Sequence, residues 1–253
     1  MAKTTTPKKT PPTPRKSSAP AKKPTPKKAS VTAEYIKAIV LAVALALFIR
    51  TFIVQAFRIP SGSMEDTLLV GDFLLANKFI YGIRIPFTDT RLPELREPAP
   101  GDVIIFQYPK DLSRDFIKRV VAVPGQTVEI KNKILYVDNK RTIDPPKSKY
   151  VDPFILNRKS SGGSRDNYGP EIVPEGHYFV MGDNRDSSDD SRYWGFLDRN
   201  LIRGKAFMLY WSWAPDRNAP EYTSLVSLPS ILLYNLLHIP ARTRWGRIGD
   251  FVE

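Results

Sequence analysis

Hydrophobic and polar positions divide the chain into four stretches. Residues 1–30 hold no apolar run; they are built from Lys, Pro, Thr, Ser and Ala, with neither an aromatic nor an acidic residue. Ala38 to Ile49 is then continuously apolar, Arg50 and Thr51 interrupt it, and Phe52 to Phe57 resumes with only Gln55 polar. Beyond it come short runs of strand length: Phe73 to Ala76, Val103 to Tyr108, Phe116 to Val123, Val128 to Ile130, Ile134 to Val137, His177 to Met181 and Ala206 to Trp211. Turn formers separate them, among them Pro100-Gly101-Asp102, Pro124-Gly125, Asp138-Asn139 and Gly182-Asp183-Asn184. No long amphipathic helix appears between Ser61 and Trp213, so the pattern predicts a mainly β body. The last stretch, Leu228 to Ile239, is apolar but broken by Pro229, Tyr234, Asn235 and His238.

The first apolar run reads as a membrane span. Taken from Tyr35 to Phe57 it crosses a hydrocarbon layer of about 30 Å if Lys37 and Arg50 snorkel to opposite interfaces. The competing reading is a cleavable signal peptide, with Val54-Gln55-Ala56 as its cleavage site. A polar segment before that site is missing, and Phe52-Ile53-Val54 carries the apolar helix past Arg50. A retained anchor over 33–57 is therefore expected. Residues 1–32 form a tail too poor in apolar side chains to fold. It carries nine of the twelve net positive charges, leaving only +3 for the rest. By the positive-inside rule the tail stays in the cytoplasm and the body lies outside, which removes nucleic acid as a partner.

The chain has no cysteine. Disulfides, thiol catalysis and cysteine metal sites are all excluded, so an apolar core holds the body at 58–215 together. Two stretches look like excursions from it: a Pro-rich, charged arm over 82–100, and a smaller inserted domain over about 127–176.

Candidate chemistry begins at Pro60-Ser61-Gly62-Ser63-Met64, where proline and glycine set a turn that presents Ser63. A nucleophilic serine needs a base. A Ser-His-Asp triad would have to use His177 or His238, which read more simply as a strand-edge residue and an interfacial one. The other solution is a neutral lysine, and burial must supply it, because free lysine with a pKa near 10.4 is almost fully charged at neutral pH. Strand alternation puts Phe116, Lys118, Val120 and Ala122 on one face, which makes Lys118 the polar member of an apolar surface. Lys78, on the face of Leu74 and Ala76, is its rival. The third polar group is Gly182 to Arg192. It lacks a glycine at the sixth position of a calcium loop and has Trp194 where a bidentate Glu belongs, so no metal is expected.

These boxes, in this order, resemble those of bacterial type I signal peptidases: Pro60 to Met64 with Thr67-Leu68 and Gly71-Asp72, then Phe116 to Val121 with Pro124-Gly125, then Gly182 to Asp186 through Ser188, Asp190, Ser191 and Arg192. The resemblance runs from about Tyr35 to about Trp213. It implies an antiparallel β catalytic core with an inserted smaller β domain, tethered in the cytoplasmic membrane; some members have two spans, and this sequence shows one transmembrane helix. It also implies a serine endopeptidase that removes signal peptides from exported preproteins near the export machinery, without cofactor. Ser63 would be the nucleophile and Lys118 the general base. Ser61 would donate to the oxyanion, and Ser188 would orient Lys118. Asp190 with Arg192, and Asp183 with Arg119, would brace the site. The substrate would lie as a strand along Ile59, Asp115, Phe116 and Ile117. Two positions depart from the family's habit: Asp66 stands where proline is common, and Phe116 where tyrosine is.

Within 216–253, Leu228 to Ile239 is too short to span a bilayer. Two readings stay open: a helix packed on the core with Arg242, Arg244 and Arg247 in water, or an interfacial segment whose arginines meet lipid phosphates while Trp245 sits among the headgroups.

Overall fold

The computed structural model describes residues 31–82, 93–157 and 163–252. The tail at 1–30 and most of the expected arm, residues 83–92, lie outside the described residues.

Helix α1 (Val31–Phe52) has 22 residues, about 33 Å at 1.5 Å each, enough for a hydrocarbon layer of about 30 Å. Glu34 in its first turn and Arg50 in its last complement the helix dipole. Its segment Glu34–Phe52 has a mean hydropathy of 2.0, and side chains such as Leu41 lie open to the surroundings. The helix is shorter than expected: it stops at Phe52, not Phe57. Val54–Arg58 leaves the helix to become a strand that finds partners for its backbone groups in Phe73 to Asn77, and Phe57 packs against the core. Tertiary pairing outweighs the good helical propensity of Gln55, Ala56 and Arg58.

That strand is β1 (Val54–Arg58). It is followed by β2 (Asp72–Asn77), β3 (Val103–Tyr108), β4 (Asp111–Ala122), β5 (Thr127–Lys131), β6 (Ile134–Val137), β7 (Lys140–Arg141), β8 (Tyr168–Ile172), β9 (His177–Met181), β10 (Leu197–Asp198) and β11 (Ile202–Ser212). Seven strands form one sheet in the order β1-β2-β11-β3-β4-β9-β10, and four form a second in the order β7-β6-β5-β8. Every pairing within both sheets is antiparallel. The fold is therefore mainly antiparallel β, as the pattern of short apolar runs predicts. The second sheet is drawn wholly from 127–172.

Each of the seven expected strands is present, most with longer ends. β1, β7, β8 and β10 are additional. Two of these have only two residues and β8 contains Gly169 and Pro170, so none of those three carries a strand-length apolar run, whereas β1 is the end of the apolar run read as helix.

The core lies under the central strands. Ile59, Met64, Leu68, Leu74, Ile105, Ile117 and Leu209 pack together on one side, and Ile104, Phe106, Val120, Tyr178 and Leu197 on another. Each such side chain contributes about 1.5–3 kcal/mol on burial. β4 departs from simple alternation. Asp111 to Asp115 are exposed, whereas Ile117 to Ala122 are buried on both faces, because Ile117 packs with Met64 and Leu68, Val120 with Phe106, and Val121 and Ala122 with Val128 and Phe179.

Among the described residues two further α-helices follow, α2 (Ser191–Trp194) and α3 (Leu228–Arg242). None of the residues of α3 is fully buried. Its half-buried side carries Ile231, Tyr234, Asn235, His238, Ile239 and Arg242, while Leu232, Leu233, Leu236 and Leu237 are 58–68% exposed. This corrects the first expectation for the segment in part: one side of the helix rests on the body, but the leucines do not pack there. It also corrects the role given to the arginines in both readings. Arg244 and Arg247 bond to the buried Asp72, and Arg242 to Asn235 and the carbonyl of Ala214.

Candidate active site

Three segments meet in one cleft of about 740 Å³. The first is the approach to Ser63. Ile59 donates its N–H to Asp72 at 2.8 Å and accepts from Gly71 at 2.9 Å, which fastens this stretch to the start of β2. Gly62–Met64 then makes one 3-10 turn, and Met64 is wholly buried, so the residue after Ser63 is pinned in the core. A β-carbon on Gly62 would meet only the Glu65 side chain at ordinary contact distance, so the turn does not need glycine for room. The left-handed backbone lies instead at Asp66, φ 76°, a value closed to proline. The departure at this position is therefore one of backbone as well as residue. Glu65 and Asp66 each pair with Lys149 at 3.1 Å.

The second segment is β4, which supplies Lys118. Its Cα partner in β3 is Ile104, and its side chain is only 3% exposed. The Nζ donates to Ser63 Oγ at 2.7 Å and to the carbonyl of Ile117 at 2.9 Å, and it stands 5.2 Å from the centre of the Phe116 ring. Burial pushes its pKa down from 10.5 to about 8. Asp190, Asp189 and Asp183 pull upward against that, and Arg192 adds to the depression. The rival Lys78 is half-buried and its pKa is also lowered by burial, but it is not among the cleft residues. His177 and His238 engage the carbonyls of Glu175 and Tyr234, and neither meets Ser63.

The third segment, 182–192, is stitched to the first. The Asn184 N–H donates to the Ser63 carbonyl at 3.1 Å, and its Nδ2 donates to the Gly62 carbonyl at 3.1 Å. Two buried ion pairs hold the loop from beneath. Asp183 accepts from Arg119 Nε and Nη2 at 2.9 and 2.7 Å, and from Thr67 Oγ1 at 2.6 Å. Asp190 accepts from Arg192 Nε and Nη2, both at 2.8 Å, and from the Gly182 N–H at 3.0 Å. Burial pushes the Asp190 pKa up, but the Arg192 charge together with hydrogen bonds from Arg192, Gly182 and Ser188 outweighs it and leaves the carboxyl below its usual range.

Not every residue singled out in the sequence comes into the cleft. Ser61, Ser63, Asp115, Phe116, Ile117 and Lys118 line it. Ile59 does not: it is 2% exposed in the core, and its two backbone groups are already bonded. Ser188 is buried beside Asp190, whose pKa its hydroxyl helps to lower, and it makes no hydrogen bond with Lys118. Ser61 is exposed at the cleft wall.

Other residues of the site carry no motif signal of their own. Asn184 sits inside the polar loop without standing out from it. Tyr108 stacks on Phe116 at 4.2 Å and donates to Asp189 at 2.9 Å, a link across 81 residues that no local pattern reveals. Along the cleft, Asp115 to Lys118 pair with β3 on one side only; β9 joins β4 from Arg119 onward. Among the described strands, none occupies the other edge.

A buried lysine bonded to a serine, beside an open strand edge, suits hydrolysis of an extended peptide. The comparisons agree. Residues 32–211 match the family model described as signal peptidase, peptidase S26. A signal peptidase I from Pseudomonas aeruginosa is 41% identical over 221 residues, covering 75% of this chain and 77% of its own. One from Aquifex aeolicus is 37% identical over 257 residues, covering 83% and 94%. A solved signal peptidase I from Enterococcus faecalis V583 is 29% identical, covering 44% of this chain and 97% of its own at a TM-score of 0.33; the fold assignment rests on the strand pairing described above. With more than two thirds of its length inside the family model and relatives of this identity across most of it, the chain belongs to the signal peptidases of family S26.

Proposed function

We propose that this signal peptidase, a serine endopeptidase that removes signal peptides from preproteins, works through Ser63 as nucleophile and Lys118 as general base. The observation that carries the assignment is the 2.7 Å contact between Lys118 Nζ and Ser63 Oγ inside a buried setting. With a pKa of about 8, roughly a tenth of Lys118 is neutral at pH 7, against about one part in three thousand for a free lysine. The neutral amine takes the Ser63 proton as Oγ attacks the scissile carbonyl. The resulting ammonium returns that proton to the leaving amine, and water then releases the acyl group by the same route. Ser61 hydroxyl and Ser63 N–H donate to the tetrahedral oxyanion. Ser188, buried in the loop that closes over this turn, orients the amine.

The substrate pairs as an added strand along Asp115, Phe116 and Ile117, where backbone bonds give affinity and alternate side chains give specificity. Small pockets there select small residues, typically Ala, immediately before the scissile bond and two residues earlier. Ile59 supports the turn from the core instead of touching substrate. Asp183 with Arg119 and Asp190 with Arg192 hold the loop.

α1 spans the cytoplasmic membrane with its N-terminus in the cytoplasm and the β body outside, where the export machinery delivers preproteins. Ser63 follows the end of α1 by eleven residues, at most about 38 Å of chain, which keeps the nucleophile near the bilayer surface. Incubating the detergent-solubilised full chain with one preprotein and sequencing the new N-terminus tests the reading. Cleavage after a small residue at the signal-peptide boundary is expected; an intact preprotein would overturn it.

A further inference from the structure

Helix α3 exposes its leucines and turns a mixed side, Ile231 and Ile239 with Tyr234, Asn235, His238 and Arg242, toward the protein. Its side toward the protein makes polar contacts: Tyr234 Oη donates to Asp216 at 2.8 Å, and Asn235 Oδ1 accepts from Arg242 at 3.0 Å. Its outward side carries Leu232, Leu233, Leu236 and Leu237, each more than half exposed. Leu225 and Val226, in the turn just before it, are 74% and 86% exposed. From Leu228 to Ala241 there is no Lys, Arg, Asp or Glu, so immersing this side in hydrocarbon strands no charge. The nearby arginines are already committed to Asp72, Asn235 and backbone carbonyls, so they hold the helix to the body instead of solvating its outer face. Trp245, 56% exposed, stands at the end of the same segment, where an amphipathic aromatic suits a headgroup layer.

The geometry points to α3 as a lipid-facing foot that lies in the plane of the outer leaflet and enters the bilayer with its leucine side. The occupant is lipid because the chain brings its own bilayer. This rests on the reading of α1 as a span: β1 begins two residues after that helix ends, so the body never leaves the membrane's neighbourhood. A patch of this size facing water would otherwise invite association. Lying at the interface, it holds the cleft at the level where a membrane-inserted signal peptide offers its cleavage site.

The absence of cysteine makes the test direct. Full-length single-cysteine variants Leu233→Cys and Leu236→Cys, labelled with bimane, are reconstituted in phosphatidylethanolamine and phosphatidylglycerol vesicles with or without nitroxide-bearing lipid. Leu41→Cys in α1 and the 92% exposed Ile143→Cys serve as the membrane and water references. The lipid nitroxide is expected to quench the labels at 233 and 236 by about half or more, as at 41, and to leave the label at 143 unchanged. Labels at 233 and 236 that behave like 143 while 41 is quenched would overturn the foot alone. Quenching by a second, nitroxide-labelled copy in plain vesicles, but not by lipid nitroxide, would assign the face to self-association and also overturn it. Failure at 41 would remove the anchor reading and the foot with it. Preprotein cleavage by the same labelled proteins reports on the catalytic assignment separately.

Discussion

Lys118 Nζ lies 2.7 Å from Ser63 Oγ although 55 residues separate the two in the chain. Nothing local holds them together. Ser63 is fixed by the buried Met64 that follows it and by Asn184 bonding its carbonyl, and Lys118 by the β3–β4 register.

The dyad predicts that Ser63→Ala and Lys118→Met each abolish preprotein cleavage with the fold intact by circular dichroism. Lys118→Arg is expected to be as inactive as Lys118→Met, because a guanidinium cannot supply a neutral amine. Measurable turnover in any of these purified variants would displace the assignment.

The lowered pKa of Lys118 predicts where the enzyme loses activity in acid. The acid limb of the kcat/KM profile should fall near pH 8, far below the lysine reference of 10.5. Asp189 raises that pKa through its charge, and it is exposed, so Asp189→Asn should move the limb to lower pH. A shift upward would show that the limb belongs to another group. Chelators should leave the rate unchanged throughout.

Ser188 and Ser187 separate orientation from mere proximity. Ser187 is exposed at the cleft wall, whereas Ser188 is buried beside Asp190, and its hydroxyl has room for one more partner besides that carboxylate. A neutral amine at Lys118 is the partner we assign. Ser188→Ala should therefore lower kcat by roughly 10- to 1,000-fold with little change in KM, while Ser187→Ala stays near wild type. Steady-state kinetics with the reverse ranking would place the wrong hydroxyl at the base.

Much of this site was legible in the sequence because its parts are local. The turn around Ser63, the strand carrying Lys118 and the polar loop at 182–192 each announce themselves within a few residues. Two things were not legible. The first is backbone competition: Val54–Arg58 continues an apolar helix by composition, yet it pairs with β2 because the sheet needs an edge strand there. The second is the use of side chains across long separations. Arg244 and Arg247 read as surface cations, but Asp72, some 170 residues earlier, draws them to the body. Ile59 sits beside the nucleophile's turn in sequence, yet its backbone is spent on Asp72 and Gly71.

Gly182 offers a steric test of how tightly the loop must approach Ser63. A β-carbon there would come to 2.3 Å from Ser188 Oγ and 2.5 Å from the Ser63 carbonyl oxygen, and the second neighbour is backbone that cannot swing away. Gly182→Ala must push the loop off the Ser63 turn. A displacement near 1 Å at the reacting centre costs about 100-fold in rate, so kcat should fall by at least that much. Near-normal kcat in a folded variant would mean that the loop and turn need not touch.

The last prediction concerns stability, where Lys118 acts against the fold. In the unfolded chain its pKa is about 10.5 and in the folded protein about 8, so between those values the unfolded state binds more protons. Stability must then rise with pH across that window. Below pH 8 lysine is charged in both states, and the full cost of burying that charge, about 3 kcal/mol for a shift of this size, is present. Above 10.5 it is neutral in both, and the cost is gone. Lys118→Met removes this titration and leaves the other groups to titrate alike in both proteins. Denaturant unfolding of the two at a series of pH values should show the stability advantage of the methionine variant shrinking by about 3 kcal/mol from pH 8 to 10.5. Parallel curves would mean that folding does not discharge Lys118, and the general base would have to be sought elsewhere.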